Sequence, residues 1–202
     1  MENKDYLLPG VAAILLAIVH PIYWLGMSPS VGDYAILWQD ILSLGFTDIL
    51  FAVTLLLNIY IYLNLKHILN EQLNFNHIDL LVLIMVTINT IWLCTLFLDA
   101  AAAALPDNFV MQHKDTFLNI NLSVSVGSII VIGIIDLLIG LLLLVKSTEL
   151  PNLLKIFAIM SVIQGVIGMT VFLAATLIFI VPITMIILAM FFLRKPDSIE
   201  IV

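Results

Sequence analysis

Charged side chains are scarce in this chain of 202 residues: 10% are Asp, Glu, Lys or Arg, whereas 63% are hydrophobic. A soluble domain carries about 25% charged residues. A chain this apolar cannot cover itself with polar surface in water, so most of it must be solvated by lipid. Only helices or closed barrels satisfy the backbone there. The long apolar runs predict an all-α, polytopic integral membrane protein, with the lipid bilayer as its first partner.

Other shortages exclude whole classes of function. The seven Lys and Arg residues form no cluster large enough to bind a phosphate backbone, which excludes nucleic acid as a partner. The single cysteine, Cys94, excludes an internal disulfide. No sequence motif of a serine hydrolase, a zinc protease, a P-loop nucleotide binder or a CxxC protein occurs. The sequence therefore predicts no catalytic residue, metal or cofactor, and it favours a function other than catalysis.

Long apolar runs are what the chain has instead. A helix that crosses a bilayer needs about 20 mostly apolar residues. Six segments have about that length: 7–27, 41–65, 79–105, 122–145, 153–174 and 176–193. The last two have no polar loop between them, so we expect a tight hairpin near residues 174–176. Five spans with one long, broken helix is the alternative. The whole chain, 1–202, is expected to be one six-helix domain.

The cationic residues predict how these spans are oriented. If the N-terminus is cytoplasmic, six of the seven Lys and Arg residues lie inside and only Lys114 lies outside. This matches the positive-inside rule, whereas five spans would put Arg194 and Lys195 outside. Tyr60 and Tyr62 are expected near the inner interface, where aromatic residues are enriched. Both termini are therefore predicted to be cytoplasmic, in a bacterial inner (plasma) membrane.

Two helical hairpins share a sequence pattern that suggests an internal repeat. In the alignment, Asn89 lies opposite Gln164, and two acidic positions also correspond. The sequence leaves two interpretations open: a parallel duplication of helices 2–3 as helices 4–5, or chance matches between apolar segments. The matching segments are GFTDIL at 45–50 with GIIDLL at 133–138, and residues 84–101 with residues 159–176.

Six polar side chains within or beside the apolar segments are the candidate binding residues. Polar and ionisable groups are costly in lipid, so they usually face the bundle interior and are often functional. The six are Asp136, Asn89, Gln164, His20, Asp99 and Asp48.

The depth of these side chains suggests how they are arranged. Asp136 lies ten residues before Lys146, or about 15 Å from the inner boundary at 1.5 Å per residue. That depth is close to the midplane, and Asn89 and Gln164 have similar depths. The other three candidates lie nearer the outer surface. We therefore expect a graded polar track that begins at an outer acidic entrance and ends at Asp136.

Each candidate also has a structural interpretation. Asp48 and Asp99 could be solvated interfacial carboxylates, and the two amides could form interhelical hydrogen bonds. His20 could be a packed core residue. Asp136 could be a protonated acid that donates a hydrogen bond to a neighbouring helix.

Three functions follow from these alternatives. The leading prediction is a small inner-membrane carrier or channel for a cation, a proton or a small polar solute, with Asp136 as the central ligand. Small residues on segments one, four and five suit close helix packing. They favour the alternative, a non-transporting subunit or scaffold that packs against a membrane partner or a second copy. The third is an intramembrane lipid-modifying enzyme that uses His20 and the acidic residues.

Overall fold

The computed structural model describes residues 6–27, 34–146 and 150–194. These ranges contain helices and connecting turns but no strand. The helices are α1 (Leu7–Met27), α2 (Tyr34–Ile41), α3 (Phe46–Leu73), α4 (Asp79–Leu93), α5 (Thr95–Ala104), α6 (Asp107–Gln112), α7 (Lys114–Val145), α8 (Asn152–Met169) and α9 (Leu177–Leu193), with a 3₁₀ helix at Val171–Thr176.

Six helical segments are long and apolar enough to cross a membrane, which confirms the predicted six-helix membrane protein. They comprise α1, α3, α4 with α5, α7, α8, and α9 with the last turn of the 3₁₀ helix. The five-span alternative is not supported, because α8 ends at Met169 and α9 begins at Leu177. The turn expected at residues 174–176 therefore begins several residues earlier. Chain orientation and membrane identity stay predictions.

Two predicted span boundaries were wrong because helices continue past the apolar runs. The second span was expected at residues 41–65, but α3 runs from Phe46 to Leu73. The fourth was expected to begin at residue 122, but α7 begins at Lys114. Neither added stretch contains proline or glycine, and the residues beyond Leu65 are mostly good helix formers. A polar extension can therefore remain helical outside the lipid.

The two outer connections were expected to be loops but contain the short helices α2 and α6. The indole of Trp38 in α2 packs into a small core with Ile41, Ala102, Val110 and Leu118. This burial holds α2 against α5, α6 and α7. We call this end of the bundle the α2 end and the opposite one, which carries Lys66, the Lys66 end.

The histidine positions required a further correction. The sequence places His67 in a predicted loop, but it lies within α3, six residues before the end of that helix at Leu73. Its Nε2 lies 3.2 Å from the carboxylate of Glu71 on the same helix. His67 is therefore a solvent-facing residue of the Lys66 end.

Glycines bring α7 and α8 into backbone contact. A Cβ atom built on Gly165 would lie 2.5 Å from the backbone nitrogen of Leu137, and one built on Gly140 would lie 2.6 Å from the carbonyl oxygen of Ala158. Both distances are too short for a carbon atom, so these positions fit only glycine. The small faces read from the sequence are thus buried against each other inside the chain.

The aligned hairpins have a helix break at corresponding places. α4 ends at Leu93 and α8 ends at Met169. The alignment places residue 168 opposite Leu93, so the two helix ends differ by one residue. The paired residues Thr95 and Thr170 follow the breaks, and each Oγ1 donates to the carbonyl three residues earlier, at 2.7 and 3.0 Å. The break lies inside the third span but at the end of the fifth, and the duplication stays a prediction.

Candidate functional site

Asp136 lies in the middle of the α7 segment that contacts α8, and its side chain is 1% exposed. Gly133 lies three residues before it and Gly140 four residues after it, so all three share one face of α7. These glycines let the α8 backbone approach α7 closely, which places the Gln164 side chain of α8 within reach of the carboxylate. The glycine contacts therefore position the site.

Two hydrogen bonds hold the Asp136 carboxylate. Oδ1 accepts one from the hydroxyl of Tyr62 at 2.7 Å, and Oδ2 accepts one from Nε2 of Gln164 at 2.6 Å. Tyr62 belongs to α3 and Gln164 to α8, so the carboxylate joins three helices. Both neighbours donate, which suits an acceptor-only ionised carboxylate. We call these three residues the Asp136 cluster.

Tyr62 was missed as a site residue when the sequence was interpreted. It was expected near the inner interface, because its span was thought to end at residue 65. Since α3 continues to Leu73, Tyr62 lies deeper in the bundle and is 1% exposed. The signal that could have identified it is its spacing from Leu65 and Leu69, which place it on the buried face of α3. A buried tyrosine hydroxyl usually needs a polar partner.

Unsatisfied oxygen atoms remain near the midplane. Gln164 Oε1 and the hydroxyl of Ser161, one turn earlier on α8, are buried without a hydrogen-bond partner in the described structure. Asn89 is fully buried, but its Nδ2 donates to the carbonyl of Met85 in its own helix at 2.8 Å. The structure therefore brings Gln164, but not Asn89, into hydrogen-bond contact with Asp136.

An aromatic layer lies between Asp136 and the α2 end. It consists of Tyr23, Phe51 and Trp92, with ring centroids 5.5 Å apart for each successive pair. Along α3, Phe51 lies between Asp48 and Tyr62, which are separated by 14 residues or about 21 Å. The predicted polar track is therefore interrupted by packed rings between its two groups of carboxylates.

Asp99 is buried on α5 at the α2 end, with 7% of its surface exposed. Its Oδ1 accepts a long hydrogen bond, 3.4 Å, from Nδ2 of Asn121 on α7. Asn121 is linked through Ser125 to the indole nitrogen of Trp92 by contacts of 3.5 and 3.2 Å. These distances are near or beyond the upper end of the usual hydrogen-bond range, so Asp99 is weakly satisfied.

Asp48 has a local structural role in addition to its position near Asp99. Its Oδ2 accepts a hydrogen bond of 2.6 Å from the backbone N–H of Gly45, which caps the first turn of α3. The charge of Asp48 also acts on Asp99. The structure therefore brings these two predicted residues near each other, with Asp48 anchored by its own helix.

Asp40 on α2 is an acidic neighbour that sequence interpretation missed, because its segment was read as a loop. Its Oδ1 accepts a 3.3 Å hydrogen bond from Thr47. Burial raises the pKa of Asp40, the negative charge of Asp48 raises it further, and the hydrogen bond from Thr47 lowers it. We call Asp40, Asp48 and Asp99 the α2-end carboxylates.

His20 lies apart from both acidic groups. It is 7% exposed on α1, its ring centroid lies 6.2 Å from that of Trp24, and its Nδ1 has no hydrogen-bond partner within the described ranges. Among described residues, no three His, Cys, Asp or Glu side chains come together as potential metal ligands. The six predicted residues thus form two separate groups, with His20 and Asn89 outside them.

Comparison with known proteins gives no family to which this site belongs. No protein-family model, no curated protein and no solved structure matches the chain. Its function must therefore be argued from the geometry of its own residues.

Proposed function

We propose that the chain is a small integral-membrane carrier in which Asp136 binds and releases a proton as part of the transport cycle. The observation that carries the proposal is a fully buried carboxylate whose two oxygens contact donors from two other helices. An isolated charge in a low-dielectric interior is costly, so such a group either is paired or changes its protonation state. Asp136 has hydrogen-bond donors but no cationic partner in the described structure.

The neighbours of Asp136 favour a proton over a metal cation as its ligand. Hard cations are bound by several oxygen acceptors, whereas Tyr62 and Gln164 both present donors to the carboxylate. A metal cation would meet N–H and O–H groups at the positions where it needs lone pairs. A proton needs a single oxygen, so it suits this cluster better.

Gln164 can serve both protonation states of Asp136. In the present arrangement its Nε2 donates to Oδ2, and its Oε1 has no partner. When a proton adds to Oδ2, rotation of the amide brings Oε1 into position to accept the new O–H hydrogen bond. The carboxyl group can therefore gain or lose a proton while it keeps its contacts with α3 and α8.

Two features favour a carrier over an open channel. The aromatic layer separates Asp136 from the α2-end carboxylates, so no continuous polar path joins the two groups among the residues that the structure describes. The third span is interrupted near its α2 end, after Leu93. Interrupted helices are common in transporters, where they allow parts of a bundle to move around a central site.

The distribution of Lys and Arg supports cytoplasmic termini and a bacterial inner membrane.

The competing functions have lost their main arguments. The scaffold was favoured by small helix faces, but those of α7 and α8 are buried against each other and are not free to bind a partner. The lipid-modifying enzyme required His20 to act with the acidic residues, and no described contact joins them. The carrier therefore has the strongest support among the three.

The test compares Asp136→Asn with a matched control, Asp115→Asn, an exposed carboxylate in the first turn of the same helix. The variants and the wild type are reconstituted in proteoliposomes that enclose a pH-sensitive dye. Proton uptake driven by a potassium diffusion potential is then measured. We expect Asp136→Asn to abolish the wild-type uptake and Asp115→Asn to retain it.

A spectroscopic readout covers the case in which proton movement needs an added solute. Infrared difference spectra between acidic and alkaline samples should contain a carboxylic-acid band that is absent from Asp136→Asn and present in Asp115→Asn. The proposal is wrong if Asp136→Asn retains uptake. It is also wrong if wild-type uptake is undetectable and the spectra of the two variants are the same.

A further inference from the structure

A small cavity lies at the Lys66 end, where the beginning of α1, the last turns of α3 and the end of α9 meet. Its apolar lining is buried and consists of Ile68, Pro151, Phe191 and Phe192. Its polar lining consists of Tyr6, Gln72 and Arg194. Its volume of about 20 Å³ accommodates one water-sized group. We call it the Arg194 cavity.

A hydrogen bond arranges two of the polar groups of this cavity. Nε2 of Gln72 on α3 donates to the hydroxyl oxygen of Tyr6, which directly precedes α1. Because the Tyr6 oxygen accepts this bond, its own O–H remains available to donate to a second acceptor. The cavity therefore offers a positioned hydroxyl donor to a ligand that has lone pairs.

Arg194 brings a positive charge to the cavity. It directly follows α9, and its backbone N–H donates to the carbonyl of Phe191 at 3.3 Å. The two ion pairs among the described residues involve Lys66 and His67, so Arg194 has no carboxylate partner there. None of the residues that line the cavity is acidic. The charge and the donors of the cavity therefore favour an anion.

The position of the polar groups relative to the apolar spans indicates the source of this anion. The first span begins at Leu7 and the last ends at Leu193, so Tyr6 and Arg194 each lie one residue beyond a span. Lipid headgroups lie at this level, and basic pockets between spans bind them. Leu7, Leu8 and Leu193 beside the cavity are 55%, 66% and 44% exposed. An anion with acyl chains can contact these leucines.

A phosphate group matches the donors of the cavity. The guanidinium of Arg194 is a planar fork that can bind two phosphate oxygens at once, and the Tyr6 hydroxyl supplies a further donor. A phosphate oxygen is about as large as a water molecule, so one oxygen fits inside while the rest of the headgroup stays outside. With no acidic residue in the lining, an ammonium group of the headgroup has no partner there. This favours a headgroup of net negative charge.

We propose that the Arg194 cavity binds the phosphate of an anionic phospholipid. The guanidinium of Arg194 binds the unesterified oxygens, the hydroxyl of Tyr6 donates to one of them, and the acyl chains lie along the exposed leucines of α1 and α9. The lipid thereby connects the first and last spans. The site does not depend on the proposed function, because no residue of the Asp136 cluster lines the cavity.

The test is native mass spectrometry of the full chain in detergent, titrated with dioleoylphosphatidylglycerol or dioleoylphosphatidylcholine. Both lipids have the same acyl chains and a phosphate, but only phosphatidylglycerol has a net negative charge. We expect phosphatidylglycerol to bind more tightly than phosphatidylcholine. Arg194→Gln should lower the affinity for phosphatidylglycerol at least about tenfold, as expected for loss of hydrogen bonds from a charged group.

The matched control is Lys155→Gln, which removes a cation in the first turn of α8 that does not line the cavity. It should bind phosphatidylglycerol as the wild type does. Tyr6→Phe is a second test variant and should lower the affinity about two- to tenfold, the range for one hydrogen bond. Arg194 is exposed and lies beyond α9, so Arg194→Gln should fold normally. Thermal melting without added lipid verifies this.

Three outcomes would overturn the site. The first is equal affinity of the wild type for phosphatidylglycerol and phosphatidylcholine. The second is an equal loss of affinity in Arg194→Gln and Lys155→Gln, which would assign the effect to the overall charge of the Lys66 end. The third is displacement of phosphatidylglycerol by an equal concentration of inorganic phosphate, which would identify the ligand as a free anion.

Discussion

The two buried carboxylates Asp136 and Asp99 have the same chemistry and nearly the same burial, but their surroundings are opposite. Asp136 accepts two short hydrogen bonds, from Tyr62 and Gln164. Asp99 accepts one long hydrogen bond, from Asn121, and lies among other negative charges. Burial alone therefore does not define what an intramembrane acid does.

The difference lies in how each charge is balanced. Around Asp136, donors from α3 and α8 contact both oxygens of the carboxylate, which leaves room in the proposed cycle only for a ligand as small as a proton. Around Asp99, the protein supplies excess negative charge and too few donors. The charge of Asp99 is therefore poorly balanced by its neighbours. Asp136 therefore suits the proposed proton site, whereas the surroundings of Asp99 leave its charge weakly satisfied.

The largest expected effect comes from separating α7 from α8, which breaks the Asp136 side of the comparison alone. In Gly140→Ala, the new Cβ would lie 2.6 Å from the carbonyl oxygen of Ala158 and 2.9 Å from the backbone nitrogen of Val162. Because backbone atoms cannot move aside individually, we expect destabilisation of about 1–3 kcal/mol or more. Thermal melting in detergent measures the effect.

Gly127→Ala is the matched control on the same helix, since a Cβ atom there meets no atom within 4 Å. It should be neutral or stabilising, because alanine favours helix over glycine by up to about 1 kcal/mol. Equal melting temperatures for Gly140→Ala and Gly127→Ala would contradict the close packing of α7 and α8.

The next effect comes from removing one donor at Asp136. Tyr62→Phe leaves a buried carboxylate oxygen without its hydroxyl partner, which should cost about 1–3 kcal/mol. Tyr60→Phe, two residues earlier on an exposed part of α3, should leave stability unchanged. Thermal melting compares the two variants. If Tyr62→Phe and Tyr60→Phe have the same melting temperature, the Tyr62 hydrogen bond does not stabilise the bundle.

A smaller effect of opposite sign is expected at Asp99. Asp99→Asn can keep the hydrogen bond to Asn121 through its amide oxygen while it removes one of three neighbouring negative charges. In mildly alkaline buffer we expect a gain in stability of about 1 kcal/mol or less, the size usual for charge interactions near a surface. Thermal melting at low and high salt tests this, since salt screens the repulsion that the variant removes. A loss of stability would show that Asp99 is already balanced.

The smallest effect concerns the pH dependence contributed by Asp40. Because burial and the charge of Asp48 raise its pKa, the folded protein holds this proton more tightly than the unfolded chain does. Stability from this group is therefore present below its ordinary pKa and is lost as the pH rises through the raised value. Asp40→Asn should have a higher melting temperature than the wild type at neutral pH, and this difference in melting temperature should disappear in acid. A gain that persists in acid would contradict this linkage.

Much of the architecture could be predicted because the length of apolar runs is directly constrained by the bilayer. The first span was predicted at residues 7–27 and observed there, since polar residues flank the run on both sides. The boundaries of α3 could not be predicted in this way. Hydrophobicity reports where lipid ends, but a helix continues as long as its backbone hydrogen bonds and side chains allow.

The site was predictable in part, for a similar reason. Depth along a helix follows from counting residues, so Asp136 and Gln164 could be expected at one level. Rotation about the helix axis and the packing of neighbours do not follow from counting. The rotation that turns Asn89 towards its own backbone and Tyr62 towards Asp136 was therefore not foreseen. Asp40 was missed because α2 lies in a stretch that is polar enough to resemble a loop.

The aromatic layer also has a thermodynamic consequence. Tyr23, Phe51 and Trp92 separate the two acidic sites by packed rings, and no hydrogen-bonded chain in the described structure passes from one to the other. Residues far apart without shared partners contribute to stability additively. A double-mutant cycle with Asp99→Asn and Asp136→Asn should therefore show a coupling energy near zero in the resting protein. Any coupling that emerges during turnover must then be created by a change of conformation and not by the ground-state electrostatics.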